Sequence, residues 1–299
     1  VLTQTHSSPA RAWPALGIAP GQVLRAFGMR RSGNHAIISW LQRNAPEGRS
    51  VFFNNCKPGQ HPLQSFRGME VNGAHAPQNK ARRDMASVTG AAGDGALVLI
   101  SYEDTSPAEF GADRQVSGTF DETRLSRNVL IYRSFLNWSA SLLKKLQANE
   151  GYSLVRRNAI LLRAMDTYTR LLGLVRQAKE LALVAICYDS WVAKDSYRTA
   201  VLTQLGLAEP GQAPRDNSLG EVQPYGGGSS FQKQAKTAAE LQVDRRWQQM
   251  RGDAEFQALL HLAARDTALI DELTVLFPQD AEFLATVAQQ PPLPQAVRA

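Results

Sequence analysis

The stretch Leu24-Arg25-Ala26-Phe27-Gly28-Met29-Arg30-Arg31-Ser32-Gly33-Asn34-His35-Ala36-Ile37-Ile38-Ser39-Trp40-Leu41 decides how this chain is read. It opens as a short apolar run of strand type and passes through two glycines that enclose two arginines. It then continues with Ile37, Ile38 and Leu41 at helical spacing. The pattern is strand, tight loop, helix. A helix that starts after a glycine-containing loop presents unpaired N–H groups and the positive end of its dipole, which suits an oxyanion. Arg30 and Arg31 add fixed charge there. Gly28, Ser32 and Gly33 allow close approach to the backbone, and Ser32, Asn34 and His35 offer side-chain donors.

The spacing Gly28-x4-Gly33 matches the first part of a nucleotide-triphosphate P-loop, but Asn34 and His35 stand where the Lys and Ser/Thr should follow. The hydroxyl that would hold magnesium is missing, so the pattern favours a phosphate-bearing cofactor that needs no metal over ATP or GTP. The competing structural explanation is an ordinary strand-to-helix turn carrying surface arginines.

Working outward, further strand patterns occupy residues 50–54, 96–102, 128–132 and 181–188, alternating with helical patterns near 135–146, 153–179 and 195–206. That alternation predicts a single α/β domain over residues 21–290. Its P-loop-like core is a central, mostly parallel sheet flanked by helices. Leu161, Met165, Tyr168, Leu172 and Val175 form a stripe that belongs to the core. Residues 1–20 are expected to be a loose arm, with Asp195 and Gly206 as the ends of one helix. Two or three short helices are expected over 238–285, and a frayed tail over 291–299. Residues 55–95 are too long for a simple connection and are the expected acceptor-binding region, together with the Pro/Gly-rich stretch 208–231.

At 299 residues with 43% hydrophobic and 20% charged content, the chain can bury one large core. The net charge of +6 is compatible with nucleic acid, an anionic surface or an anionic ligand. No basic stripe interleaved with aromatics is present, so nucleic acid is not the expected partner. Cys56 and Cys187 lack metal-ligand spacing, and Cys187 lies in an apolar run, which points to a reducing compartment. The start lacks a signal-peptide pattern and the apolar runs are too short to span a bilayer, so a soluble, cytoplasmic protein is expected. Oligomeric state is not legible.

Ligands in open α/β sheets sit beyond the carboxyl ends of the strands. Glu103 and Asp104 follow the third strand. Arg133 follows the fourth, with Ser141 eight residues later on the next helix, so a second phosphate could take bonds from both. A cofactor with phosphates at both ends of a nucleoside would fit.

With these motifs in order, the chain resembles the sulfotransferases that use 3′-phosphoadenosine 5′-phosphosulfate. Arg31-Ser32-Gly33-Asn34-His35 resembles their 5′-phosphosulfate loop in its Arg-Ser-Gly form, and Arg133 with Ser141 resembles their 3′-phosphate motif. Tyr188-Asp189 is similar to the segment that approaches the adenine. The match covers roughly residues 23–190. Cytosolic members usually carry lysine at the place of Arg31 and an aromatic at that of Ala36, and their late Arg-Lys-Gly segment has no clear counterpart. Gly226 to Phe231, including Gly228 and Ser229 and followed by Lys233 and Lys236, is the only candidate for that closing loop. A flexible surface connection would look the same.

The resemblance implies sulfuryl transfer to a hydroxyl or amine of a small-molecule, sugar or natural-product acceptor, without a metal. Arg31 would stabilise the leaving oxygen. Glu103 stands at the place of the family's catalytic base, with Asp104 beside it and His61 in the acceptor region as the competitor. His35 would touch the phosphosulfate. A P-loop kinase or NTPase, and a nucleotide-binding module without catalysis, are the alternatives. His75 and His261 carry no supporting context.

Overall fold

A computed structural model describes residues 13–110, 114–220 and 246–290. Strand β1 is Gln22–Gly28, β2 Ser50–Asn54, β3 Gly68–Val71, β4 Ala74–Ala76, β5 Leu97–Glu103, β6 Arg127–Tyr132 and β7 Leu183–Cys187. They form one seven-stranded sheet in the order β4-β3-β2-β5-β1-β6-β7. The five strands from β2 to β7 run parallel, and β3 and β4 extend the sheet as an antiparallel hairpin. The expected α/β domain with a mostly parallel sheet is therefore what the chain forms.

Both sheet faces are covered. Helix α1 (Asn34–Arg43), with α7 (Tyr188–Ala193) and α8 (Asp195–Leu205), closes one side over Leu24, Ala26, Leu97, Leu99, Val129 and Ile131. On the other side lie α5 (Phe135–Gln147), α6 (Leu154–Arg176), α9 (Ala254–Ala263), α10 (Thr267–Leu276) and α11 (Pro278–Ala288), over Val23, Phe27, Val98, Ile100 and Leu130. Alternate residues of each strand feed opposite cores, which is why the strands read as continuous apolar runs. The expected α6 stripe is buried in full. Trp40 is buried against Trp191, a core position and not a ligand surface.

Three expectations are corrected. The segment 55–95 is no open loop: it holds β3, β4, α2 (Pro62–Ser65), α3 (Gln78–Arg83) and α4 (Met85–Gly90). The loose arm does not extend to residue 20, because Trp13, Leu16 and Ile18 are buried and Trp13 bridges Ile18; residues 1–12 and 291–299 lie outside the described residues. Asp195 makes no cap bond and instead pairs with Arg198 in the first turn of α8, while Gly206 ends that helix in the left-handed conformation as expected. No helix among the described residues is long and apolar enough to cross a membrane.

Register positions the functional edge. Gly28 is level with Glu103 on one side and with Ile131 on the other, so the loop after β1 emerges between Glu103 and Arg133. Here the connections diverge to either side of β1, the place where an open sheet leaves a crevice.

Candidate functional site

Arg31 and Gly33 both take positive φ, 72° and 90°, which turns the loop into a concavity of backbone amides. Gly33 is the N-cap of α1, no side chain caps that helix, and its first turn holds no acid. The N-terminus of α5 is different: Asp189 Oδ2 accepts from Ser134 N at 2.7 Å, and Asp280 Oδ2 accepts from Leu136 N at 3.2 Å and Ser134 Oγ at 2.9 Å. Protein carboxylates thus serve the start of α5, whereas among the described residues no side chain caps the start of α1. Asn55 and Asp104, which follow β2 and β5, also have positive φ, so three non-glycine outliers gather at one sheet edge. Such strain collects at functional sites.

The two phosphate motifs meet. Arg31 Nε donates to Ser141 Oγ at 3.2 Å, and Arg133 donates through Nη1 to the Arg31 carbonyl at 3.2 Å. The Arg133 guanidinium lies over the Tyr188 ring at 5.1 Å, and Asp189 stands 3.9 Å from its Nε. Tyr188 opens α7 instead of closing β7, and its ring covers Gly33 so closely that a Cβ there would lie 2.1 Å from it. Tyr168 Oη and Trp138 Nε1 then fix the Arg133 and Arg30 carbonyls from α6 and α5.

Arg246 completes the cluster, and sequence reasoning missed it. It opens a short turn, Arg246–Met250, packed on α5, and Trp247 N reaches Asn137 Oδ1 at 3.5 Å. Arg246 is 4% exposed, and burial, with Arg133 and then Arg31 adding to it, lowers its guanidinium to about 10. Arg31 is lowered first by burial and next by Arg133, with Glu103 opposing. Among the described residues, Arg31, Arg133 and Arg246 lie together with Glu103 and Asp189 as neighbouring carboxylates. Ser32 Oγ and Asn34 Oδ1 are buried with no hydrogen-bond partner among the described residues. Clustered buried guanidiniums beside a hydroxyl with no partner among the described residues suit a polyanion with acceptor oxygens. The only sequence signal for Arg246 was an Arg-Trp pair far from the other motifs.

Glu103 receives Asn55 Nδ2 at 3.1 Å and Asn34 Nδ2 at 3.5 Å, with His35 Nε2 3.8 Å from its Oε1. His35 is pushed below the ordinary imidazole range by burial, with Glu103 opposing and Arg31 adding. Asp104 accepts from the Arg30 backbone N at 2.8 Å and pairs with the Arg30 guanidinium, clasping the loop. Arg30 is accordingly drawn to Asp104, apart from the other three arginines. His61 accepts from Leu63 N at 3.2 Å through Nδ1 and packs on Phe120, so it caps α2 and makes no hydrogen bond or ion pair with Glu103 or the loop. Gly228 and Ser229, with Lys233 and Lys236, lie outside the described residues. Among the described residues no group of three or more His, Cys, Asp or Glu side chains could hold a metal ion.

Compared with family models, with curated proteins and with solved structures, the chain gives no match in any of the three.

Proposed function

We propose that this protein is a sulfotransferase using 3′-phosphoadenosine 5′-phosphosulfate. The observation that carries the proposal is the buried cluster of Arg31, Arg133, Arg246 and Ser141 beside the uncapped start of α1. Ser32, Gly33 and the first amides of α1 would hold the 5′-phosphate, and Arg133 with Arg246 the 3′-phosphate. When bound, the cofactor supplies an activated sulfuryl group whose transfer leaves charge on a phosphate oxygen.

Arg31 stays protonated and neutralises that charge, and Ser141 holds its Nε in place. Glu103, fixed by Asn55, takes the proton of the acceptor hydroxyl as the new O–S bond forms and the S–O bond to phosphate breaks. His35 stands beside Glu103, with Nε2 3.8 Å from its Oε1.

Calorimetric titration with 3′-phosphoadenosine 5′-phosphate, alongside ATP with and without magnesium, tests the proposal. Tight binding of the bisphosphate and indifference to ATP are expected. Preference for magnesium-ATP would replace it with a kinase or NTPase function. Binding of the bisphosphate with no sulfuryl transfer to any acceptor in a broad screen would leave a nucleotide-binding module.

A further inference from the structure

Helix α6 opens with two aliphatic side chains in solvent: Leu154 is 52% exposed and Val155 77%. Leu162 lies seven residues on from Val155, two turns along the same stripe, and is 45% exposed, with the exposed Ala159 between them. This stripe is turned away from Leu161, Met165, Tyr168 and Leu172, which are buried in the core. The other large exposed aliphatics, Leu262 on α9 and Val275 on α10, come one to a helix.

A basic stripe runs beside the apolar one. Arg156 and Arg163 are also seven residues apart and exposed, and neither side chain makes an ion pair among the described residues. Arg156 lies over the ring of Tyr152 at 4.4 Å, in the turn from α5. Lys145, near the end of α5, is exposed and makes no hydrogen bond or ion pair among the described residues. From Phe135 to Arg176 the only acids are Glu150 and Asp166, and Asp166 is set against Arg170. From α9, Glu255 pairs with Arg157 and Asp253 caps its own helix. Lys145, Arg156 and Arg163 therefore outweigh Glu150 beside the apolar stripe.

We infer that this face of α6 docks on an anionic lipid surface, with Leu154, Val155 and Leu162 entering the headgroup layer and Lys145, Arg156 and Arg163 meeting lipid phosphates. Three aliphatic side chains on a convex helix cover far less than the roughly 800 Å² per partner of a stable protein interface. A bilayer needs no matching groove and takes protruding aliphatics with cations at the headgroup level. A symmetric pairing of two copies through this face would bring the arginine stripes together, like charge against like. Lys145 and Tyr152 also share the walls of one cavity with Arg30, so the docked face borders the loop after β1. The stripe lies outside the cluster of Arg31, Arg133 and Arg246, and lipid docking does not rest on the sulfotransferase proposal.

The test is co-sedimentation of the full chain with vesicles of phosphatidylcholine alone or mixed with phosphatidylglycerol, at low and high salt. Partitioning onto the mixed vesicles is expected to be about 10-fold or more stronger, and high salt should remove the difference. The double variants Val155→Ser with Leu162→Ser, and Arg156→Gln with Arg163→Gln, change exposed positions and should each weaken partitioning roughly 10-fold while Tm holds. Equal partitioning onto both vesicles, no binding to either, or wild-type partitioning by either double variant would overturn the inference. Self-association of the wild-type chain in sedimentation velocity, lost with Val155→Ser and Leu162→Ser, would make this face an interface between copies and overturn it as well.

Discussion

Replacing Arg246 by Gln separates a residue kept for packing from one kept for a ligand, because the two roles predict opposite signs. Burial and the neighbouring arginines lower the Arg246 guanidinium from 12.5 to about 10. At about 1.4 kcal/mol per unit, the charge costs the folded protein about 3 kcal/mol relative to solvent. Glutamine keeps part of the stem and a polar head but sheds the charge, so the ligand-free variant should be more stable by about 1–2 kcal/mol after lost packing and hydrogen bonds are subtracted. In a chain of this length that is a rise of a few degrees in Tm. The bisphosphate loses a charge-assisted contact worth about 1.5–3 kcal/mol, so its affinity should fall roughly 10- to 150-fold. Differential scanning calorimetry without ligand and isothermal titration with the bisphosphate measure the two effects on one preparation. A lower ligand-free Tm together with unchanged affinity would refute the reasoning and make Arg246 a structural residue.

Three further outcomes follow from the same geometry. Glu103→Gln preserves an acceptor for Asn55 and should leave bisphosphate affinity intact while lowering turnover by roughly 10²-fold or more; full activity would remove Glu103 as the base. Gly33→Ala forces a side chain onto the Tyr188 ring at φ 90°, so stability should drop by about 1–3 kcal/mol in denaturant titration and bisphosphate binding should be lost; wild-type values would show that the ring moves freely. Asp280 is raised by burial from 3.8 to about 6, so between those values the folded protein holds a proton that the unfolded chain releases. Its contribution is therefore most favourable below about pH 4, declines as pH rises to about 6, and stays about 3 kcal/mol less favourable above. Asp280→Asn should flatten that window in a Tm-against-pH comparison with wild type while retaining an acceptor for Ser134 and Leu136. Identical profiles would contradict the assignment.

The amino-acid sequence by itself determined the parallel sheet and the strand–loop–helix turn that follows β1, because both are written in local chemistry. Strands buried on two faces show as apolar runs, and a loop of glycines and arginines ahead of a helical pattern shows its hydrogen-bonding bias without any partner. Arg31, Ser32, Gly33, Arg133, Ser141 and Tyr188 were legible for that reason, and the structure gathers them at one edge. The hairpin of β3 and β4 was not legible, since strands of four and three residues are too short for periodicity and are held by pairing with β2. Trp13, Leu16 and Ile18 sat among prolines and serines, and only the distant core makes them interior. The assignments that tertiary structure alone decided are the ones that depend on distance across the chain. Arg246 joins Arg133 because a turn 113 residues later packs on α5. Asp104 meets a backbone amide and the Arg30 guanidinium, and His61 meets a helix end, partners that only the folded chain supplies. Charge and hydrogen-bonding capacity are properties of a residue, but whether they are spent on the protein or kept for a ligand is settled by what folding brings beside it.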